Sequence, residues 1–459
     1  MTQQTRQLFG TDGIRGVAGE FPLTKQSTYL IGRALGHDLV RVKPKPSAVI
    51  GQDTRQSSRW IADRLSEGLA AVGVNVSSAG VITTPGVAYL ARSRGFDAGV
   101  VISASHNPWT DNGIKVFSGD GFKLTDAREL AIEKEIFGLL ENPSAADDTA
   151  LRVPGPSLPG EAALRHDYVN SLAASVSSDL GKLRVLVDCA NGAATAEAPE
   201  LFRALKIQAT FIHVSPDGKN INEGCGALHP ETLGKTVAES AGQFDLGVTF
   251  DGDADRALFS DANGRVINGD AVLLAAARDF HAQGKLKSDT VVATTMSNMG
   301  LEIALKNSGI RLLRANVGDK YVLEEMLKTG ATLGGEQSGH IIFLDGDSTT
   351  GDGLLTALRL MDIVVRSKKS LAELVSDLKV FPQKIQNIRV REKTPFSQVP
   401  GIQKAIESAE RELDGRGRVV VRYSGTEALA RVMVEAESED QMQSVTAAIA
   451  AEIQKALGI

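Results

Sequence analysis

The chain has 459 residues, of which 42% are hydrophobic and 23% charged, so its composition is that of an ordinary globular protein. At roughly 150 residues per domain, this length predicts about three domains, or four small ones. The net charge of −6 argues against general nucleic-acid binding, and it requires a locally basic site wherever an anionic substrate binds.

The two cysteines, Cys189 and Cys225, are too few for a disulfide framework and lack the spacing of a metal site. Buried thiols of this kind are typical of a reduced, cytoplasmic protein. Residues 1–8 are polar and lack the pattern of a signal peptide, and no apolar stretch approaches ~18 residues. We therefore expect a cytoplasmic protein with no membrane span.

Short β-branched runs alternate with helical patterns along most of the chain, which predicts α/β architecture. The first pair is a strand at 47–53 and an amphipathic helix that Ser57 or Ser58 can cap and that Gly73 ends. Further strands are predicted at 100–102, 184–188, 246–250, 290–294 and 341–344, and a helix at 300–306. The C-terminal part differs, with predicted strands at 386–390 and 418–422 and a final helix in a smaller α+β unit.

Domain boundaries are predicted near residues 160, 262 and 375. The segment 142–160 is rich in Pro, Ala and Ser and is interpreted as a connector or surface excursion. The four predicted domains are 1–160, 161–262, 263–375 and 376–459. The first three are expected to be similar α/β units, although they show no close sequence repeat.

Ser105 follows an apolar, β-branched run that predicts a buried parallel strand, in the sequence VVISASHNP, residues 100–108. Ligands of open α/β sheets bind where strands stop and loops begin, so this hydroxyl is a candidate to meet substrate. The neighbouring His106 either orients Ser105 or only satisfies the turn.

A second candidate site is the sequence DGDADR at 251–256, which directly follows the strand at 246–250. Three alternating carboxylates on a tight loop can converge on one hard cation, Mg²⁺ or Ca²⁺. An EF-hand would need Gly in place of Arg256 and Glu in place of Ala262. A haloacid-dehalogenase-type phosphatase would need Thr or Val in place of Asp255, and a solvated acidic turn is the simplest alternative.

Three further loops carry polar groups. GGEQSGH at 334–340 could recognise sugar hydroxyls, RYSGTE at 422–427 could form a phosphate nest, and FGTDGIRG at 9–16 adds glycines and a basic side chain. Each could instead be an ordinary turn.

No P-loop, dinucleotide fingerprint, HExxH or GxSxG motif is present. Together, a hydroxyl nucleophile, a cation loop, a polyol loop and a phosphate nest indicate phosphoryl transfer to or from a sugar phosphate.

The chain resembles the α-D-phosphohexomutase superfamily, and within it the bacterial phosphoglucosamine mutase family, over nearly its whole length. The motifs that carry the resemblance are FGTDGIRG (9–16), ISASHNP (102–108), DNGIK (111–115), DGDADR (251–256), MSNMGLE (296–302), VGDKYV (317–322), GGEQSGH (334–340), TTGDG (349–353) and RYSGTE (422–427). The glucosamine branch is indicated by PDGKNINEGCG (216–226), MSNMGLE, EQSGH and TTGDG.

The resemblance implies three similar mixed α/β domains and a smaller C-terminal α+β domain around a central cleft. It implies an isomerase, an intramolecular phosphotransferase, that interconverts glucosamine 6-phosphate and glucosamine 1-phosphate through a 1,6-bisphosphate intermediate and activator. Its product would supply UDP-N-acetylglucosamine for cell-wall synthesis. The implied partner is a small sugar phosphate, with neither nucleic acid nor membrane, and the protein would be a monomer or homodimer.

The resemblance also implies residue roles. Ser105 would be the phosphoserine and would complete the Mg²⁺ shell of Asp251, Asp253 and Asp255. The remaining implied roles are catalytic for Arg15, Lys115 and His340, substrate-binding for Arg256, Gly318, Asp319, Glu336 and Ser338, and phosphate-binding for Arg422, Ser424, Gly425 and Thr426. Lys115 is assigned first to phosphoryl stabilisation and second to proton transfer, because sequence cannot show whether its pKa is lowered.

Three residues depart from the family pattern: Ala428 replaces a usual Pro, Tyr423 a common basic residue, and Ala254 a frequent Gly for which a positive φ is cheap. They bear on affinity more than on reaction class. The alternatives are a phosphomannomutase or phosphoglucomutase, a non-catalytic sugar-phosphate-binding protein, and a metal-dependent phosphatase.

Overall fold

Four β-sheets organise the protein in a computed structural model that describes residues 6–141, 161–424 and 428–459. The predicted connector at 142–160 lies outside these residues. The chain divides into two units, one of Met1–Thr295 with Leu312–Ser376 and one of Met296–Arg311 with Asp377–Ile459. None of the described helices combines the length and apolar character needed to cross a membrane.

The first sheet has six strands in the order β1-β2-β6-β5-β3-β4. Its elements are β1 (Phe9–Gly10), β2 (Gly13–Val17), α1 (Lys25–Val42), β3 (Ser47–Gln52), α2 (Ser58–Ala71), β4 (Asn75–Val81), α3 (Thr84–Ser93), β5 (Ala98–Ile102), β6 (Asp111–Ser118) and α4 (Asp126–Leu140). The predicted strand before Ser105 is β5, whose five residues are all buried. It runs parallel to β3 and antiparallel to β6, so the prediction of a parallel strand holds on one side only.

The predicted helix after the first strand is α2. Ser57 occupies its N-cap position but makes no capping hydrogen bond through its side chain. By contrast, Thr24 and Ser27 form a complete capping box at the start of α1, which satisfies N–H groups that a helix leaves unpaired.

The second sheet has the order β11-β10-β9-β7-β8. Its elements are α5 (Glu161–Ala174), β7 (Arg184–Asp188), α6 (Ala194–Ala204), β8 (Gln208–Ile212), α7 (Pro230–Glu239), β9 (Leu246–Phe250), β10 (Ala257–Asp261) and β11 (Val266–Ile267). Strands β9 and β10 are antiparallel and fully buried. The DGDADR sequence is therefore the turn of a buried hairpin.

The third sheet has the order β13-β12-β14-β15. Its region contains α8 (Gly269–Ala282), β12 (Thr290–Thr294), α9 (Met299–Asn307), β13 (Arg311–Ala315), α10 (Asp319–Thr329), β14 (Leu333–Gly335), β15 (Ile341–Phe343), α11 (Gly353–Ser367) and the short α12 (Leu371–Leu374). GGEQSGH spans the β14–β15 hairpin, and the two sequences VGDKYV and TTGDG lead into α10 and α11.

The second unit contains the fourth sheet, with the antiparallel order β16-β18-β17. Its elements are β16 (Gln383–Arg389), α13 (Pro400–Leu413), β17 (Gly417–Tyr423), β18 (Leu429–Ala436) and α14 (Glu439–Leu457). Helix α9 also belongs to this unit. The Asn298 amide donates to Phe381 O and accepts from Phe381 N–H, both at 3.0 Å, and so attaches the start of α9 to the chain before β16.

Three mixed α/β sheets and one smaller antiparallel sheet with helices confirm the predicted fold class. The boundaries near 160, 262 and 375 stay predictions. The segment 296–311 joins the second unit, whereas sequence reasoning placed it inside the third domain.

Candidate active site

Ser105 lies in a tight loop beyond β5. Its φ is 53°, a conformation that non-glycine residues rarely adopt, and only 1% of its surface is exposed. Its Oγ donates a hydrogen bond to Asp251 Oδ2 at 2.6 Å and lies 3.3 Å from His106 Nδ1. Burial, followed by Arg256 and Arg15, lowers the pKa of His106 to about 4, so the imidazole beside Ser105 is neutral at physiological pH.

Arg55, which the sequence reasoning missed, holds the backbone of this loop. Its guanidinium forms a fully buried ion pair with Asp53 at 2.8 Å. It also donates to the carbonyl oxygens of Ser105 (2.8 Å), Asn107 (2.8 Å), Asp111 (3.2 Å) and Pro108. These bonds offset the cost of an unusual backbone at Ser105. The signal was available, because Asp53 and Arg55 follow β3 at the same sheet edge as Ser105.

Asp53 supports Ser105 from a second direction. Its carboxylate accepts hydrogen bonds from the hydroxyls of Ser58 (2.6 Å) and Ser103 (2.7 Å). Ser103 Oγ in turn accepts the Ser105 N–H at 2.9 Å. Ser105 is thus held by a chain of buried, fully paired polar groups, which fixes its position more firmly than a surface loop would.

Asp251, Asp253 and Asp255 converge as predicted. All three are buried, and one carboxylate oxygen from each lies within 4.8 Å of the others. Asp253 Oδ1 and Asp255 Oδ1 are buried and have no hydrogen-bond partner among the described residues. Buried carboxylate oxygens without a hydrogen bond are costly unless a cation meets them, so this all-oxygen donor set fits Mg²⁺.

The aspartate loop approaches the Ser105 loop closely at Gly252. A Cβ at this position would lie 2.5 Å from Ser105 O, which leaves no room for a side chain. Ala254 adopts φ 54°, so the loop takes the left-handed conformation although an alanine stands there. Its backbone is held by the bond from Gly353 N–H to Ala254 O at 2.9 Å.

Lys115 joins the carboxylates to a further acidic residue that the sequence reasoning did not assign. Its buried Nζ lies 2.8 Å from Asp253, 3.4 Å from Asp255 and 2.9 Å from Asp12. Burial alone would lower the pKa of Lys115, but the three carboxylates raise it well above its ordinary value. The side chain is therefore an ammonium, which places one positive charge among the three carboxylates.

A cavity of about 340 Å³ opens beside these groups. Its lining includes these residues that the sequence analysis named: Arg15, His106, Asp255, Arg256, Gly318, Asp319, Glu336 and His340. Ser338 is half-buried and is not among the lining residues. Arg15 and Arg256 bring two guanidinium groups to a lining that also holds the carboxylates of Asp12, Asp255, Asp319 and Glu336.

Hydrogen bonds between loops hold the part of the cavity formed by Gly318, Glu336 and His340. Gly318 N–H donates to Glu336 Oε1 at 3.1 Å, and Gly351 N–H donates to His340 Nε2 at 3.1 Å. Burial would lower the pKa of His340, but Asp255 and Asp319 raise it to about 9, whereas the Gly351 donor favours an unprotonated Nε2. In the imidazolium both ring nitrogens carry a proton, and in the neutral ring with Nε2 unprotonated the proton lies on Nδ1. Nδ1, which faces Asp255 at 3.6 Å, therefore holds a proton in either state.

Lys123 is another charged residue that the sequence reasoning missed. Its Nζ lies between Asp12 Oδ1 (2.6 Å) and Asp319 Oδ2 (2.5 Å). It therefore joins the N-terminal glycine-rich motif to the start of α10, two segments that lie some three hundred positions apart in the sequence.

The predicted phosphate loop lies in the second unit. Arg422 is exposed at the end of β17 and Ser424 is buried, while Gly425 and Thr426 lie outside the described residues. Tyr423 stacks on Phe396 with ring centroids 4.2 Å apart, so it serves packing. Lys393, not singled out before, donates from Nζ to Ser424 O at 2.7 Å and places a cation beside the loop.

Comparison with known proteins finds four matching family models. The phosphoglucomutase/phosphomannomutase α/β/α domains I, II and III match residues 6–142, 166–264 and 268–381, and the C-terminal domain of the same family matches residues 386–452.

Relatives of high identity match the chain from end to end. A phosphoglucosamine mutase of Koribacter versatilis is 61% identical, covering 100% of this chain and 99% of that protein. One of Solibacter usitatus is 52% identical, covering 99% of each. The crystal structure of a phosphoglucomutase/phosphomannomutase family protein from Burkholderia thailandensis superimposes with a TM-score of 0.77 at 25% identity, covering 98% of this chain and 99% of that one.

Proposed function

Because the chain belongs to the phosphoglucosamine mutases of the phosphoglucomutase/phosphomannomutase family, we propose that it interconverts glucosamine 6-phosphate and glucosamine 1-phosphate. One observation in this chain carries the proposal: Ser105 Oγ lies 2.6 Å from Asp251, the first residue of the buried aspartate loop. A nucleophilic hydroxyl is thereby placed against a cation site, beside a cavity that Arg15 and Arg256 line, an arrangement suited to phosphoryl transfer.

The reaction begins with a phosphoryl group on Ser105 Oγ. The sugar O1 of glucosamine 6-phosphate forms a bond to phosphorus as the Ser105 Oγ–P bond breaks, and the O1 proton ends on Ser105. The product is the 1,6-bisphosphate. After this intermediate turns over, Ser105 Oγ takes the 6-phosphoryl group and returns its proton to O6. Glucosamine 1-phosphate leaves, and no water or free phosphate is consumed or formed.

Asp251, Asp253 and Asp255 would hold Mg²⁺ together with Ser105 or its phosphate. When bound, the cation neutralises charge on the phosphoryl oxygens. The Lys115 ammonium and Arg15 add positive charge at the transfer site, Lys115 from the protein side and Arg15 from the cavity. His340 lies between Asp255 and Asp319 and offers a proton-bearing Nδ1 near the reacting oxygens.

Substrate recognition is assigned to the remaining cavity residues. Arg256, Gly318, Asp319 and Glu336 line the space available to the sugar, and Ser338 belongs to the same hairpin loop as Glu336. Arg422, Ser424, Gly425 and Thr426 are proposed to bind the phosphate that is not being transferred. We also propose that the enzyme works in the cytoplasm as a monomer or homodimer, with glucosamine 1,6-bisphosphate as activator, and that its product feeds UDP-N-acetylglucosamine and cell-wall synthesis.

The test is a coupled mutase assay on the full-length protein, combined with peptide mass spectrometry. We expect phosphate on Ser105, turnover of glucosamine 6-phosphate above that of mannose and glucose 6-phosphates, and no release of inorganic phosphate. Ser105→Ala should abolish turnover, while Ser93→Ala, at the end of α3, should not. Preference for a neutral sugar would overturn the substrate, phosphate release would indicate a phosphatase, and an active Ser105→Ala variant would overturn the mechanism.

A further inference from the structure

A second group of metal-ligating side chains lies away from the aspartate loop. Asp188 ends β7, His213 follows β8, and Cys225 lies in the segment before α7. One ligand atom from each lies within 4.8 Å of the others. His213 Nδ1 is 3.0 Å from Asp188 Oδ1. None of the three side chains has a part in the proposed mutase reaction.

The thiol of Cys225 has no evident structural purpose at this place. The residue is fully buried, and no hydrogen bond to its Sγ is present among the described residues. Asp188, also fully buried, accepts hydrogen bonds from Ala190 N–H and Gly226 N–H, which fix the carboxylate in place. A buried, unpaired sulfur therefore faces a rigidly held carboxylate and an imidazole.

These donors match one class of cation. Carboxylate oxygen, imidazole nitrogen and thiolate sulfur together suit Zn²⁺, whereas Mg²⁺ favours oxygen donors alone. Tetrahedral Zn²⁺, with bonds of about 2.0–2.3 Å, separates its ligand atoms by about 3.3–3.8 Å. The three ligand atoms already lie within 4.8 Å of one another, and His213 Nδ1 within 3.0 Å of Asp188 Oδ1, so adjustments of about 1 Å would reach this geometry, with the fourth position left to water.

The site has a path for entry. The His213 side chain remains 34% exposed, so a cation can reach the buried ligands from solvent. Since the thiolate is the ligand, metal uptake must release the Cys225 proton.

We propose that Asp188, His213 and Cys225 bind a thiophilic divalent cation such as Zn²⁺, at a site separate from the aspartate loop. The spacing of the cysteines along the sequence gives no sign of it, because the three ligands come from three different segments around one sheet edge.

The experiment uses Co²⁺ as the probe on the full-length protein, with excess Mg²⁺ present to fill the aspartate loop. Thiolate coordination gives a ligand-to-metal charge-transfer band that the aspartates cannot produce. We expect this band to saturate at one equivalent and to disappear when Zn²⁺ is added in competition. Cys225→Ser should remove the band and weaken Zn²⁺ binding at least about tenfold.

The matched control is Cys189→Ser, which alters the other buried cysteine, outside the ligand set, and should keep the band. His213→Asn provides a second variant should Cys225→Ser unfold, because Asn tolerates the positive φ of 51° at this position. It should also weaken Zn²⁺ binding at least about tenfold. Absence of the band in the wild type, or an equal band in Cys225→Ser, would overturn the proposal. The readout does not depend on mutase turnover, so its failure leaves the proposed function untouched.

Discussion

Among single residues, the site depends on backbone contacts so close that they leave no space for a larger side chain. Ser105 has a positive φ, Ala254 has another, and Gly252 lies against the Ser105 carbonyl. Two loops from different sheets therefore meet backbone to backbone. Because a misplacement of about 1 Å can cost about 100-fold in rate, small side chains here matter as much as the reacting groups.

Gly252→Ala tests this contact. The added Cβ would lie 2.5 Å from Ser105 O, so one loop must shift, and we expect kcat to fall about 100-fold. Gly138→Ala is the control, since Gly138 lies on the exposed face of helix α4 with open space around it. That variant should keep full activity and gain up to about 1 kcal/mol of stability. Equal activity of the two variants would contradict the close-contact interpretation.

Asp352 predicts a pH dependence of stability. Burial raises its pKa to about 6, although its Oδ1 accepts from Leu355 N–H at 2.9 Å and its Oδ2 from Tyr168 Oη–H at 2.8 Å. Between pH 4 and pH 6 the folded state thus binds more protons than the unfolded state. Stability should therefore fall as pH rises through this window, by up to about 3 kcal/mol.

Asp352→Asn keeps a side-chain oxygen for the helix cap and removes the titration. Urea unfolding of the wild type and the variant at several pH values between 4 and 7.5 measures the difference. We expect the variant to gain stability relative to the wild type as pH rises. A constant difference across this range would show that the carboxyl group does not titrate there.

At the scale of elements, loops that follow neighbouring strands support one another. The loop after β3 supplies Arg55, which binds four carbonyl oxygens of the loop after β5. The loop after β9 supplies the aspartates that face Ser105. Each loop is short and its strand is buried, so the sheet fixes the distances between the loops.

Arg55→Lys should separate positioning from substrate binding. Lysine keeps the charge but lacks the fork that reaches several carbonyls, so we expect kcat to fall roughly 10- to 100-fold with little change in KM. Arg59→Lys, on the exposed face of α2, should match the wild type. A rise in KM alone would show that Arg55 acts on substrate instead, and an unchanged kcat would show that the Ser105 loop does not need it.

At the scale of the whole molecule, the buried aspartates link cation binding to stability. Asp251, Asp253 and Asp255 repel one another without a cation, and only part of this charge is offset by Lys115. A ligand that binds only the native state stabilises it by about 2.7 kcal/mol at 100 times its Kd. Saturating Mg²⁺ should therefore raise the melting temperature by several degrees.

Differential scanning fluorimetry with and without Mg²⁺, at constant ionic strength, measures this shift, and EDTA should reverse it along with activity. Asp253→Asn should reduce the shift to near zero, while Asp289→Asn, an exposed residue before β12, should retain it. An equal shift in both variants would place the stabilising cation elsewhere.

Local features could be predicted from the sequence: the central strands of each sheet, helices α2, α9 and α14, the serine after β5 and three alternating aspartates on one tight loop. These follow from periodicity and from neighbours within a few residues, which sequence displays directly. The family resemblance then supplied roles for residues in separate motifs. It could not show which of those residues touch.

The long-range chemistry of the site depends on the tertiary structure. Arg55 and Asp12 act on groups fifty or more positions away, Lys115 stays charged because three carboxylates face it, and segment 296–311 joins the second unit through Asn298. The grouping of Asp188, His213 and Cys225 is of the same kind. Such contacts depend on how the sheets place chain segments side by side, and no local pattern records that placement.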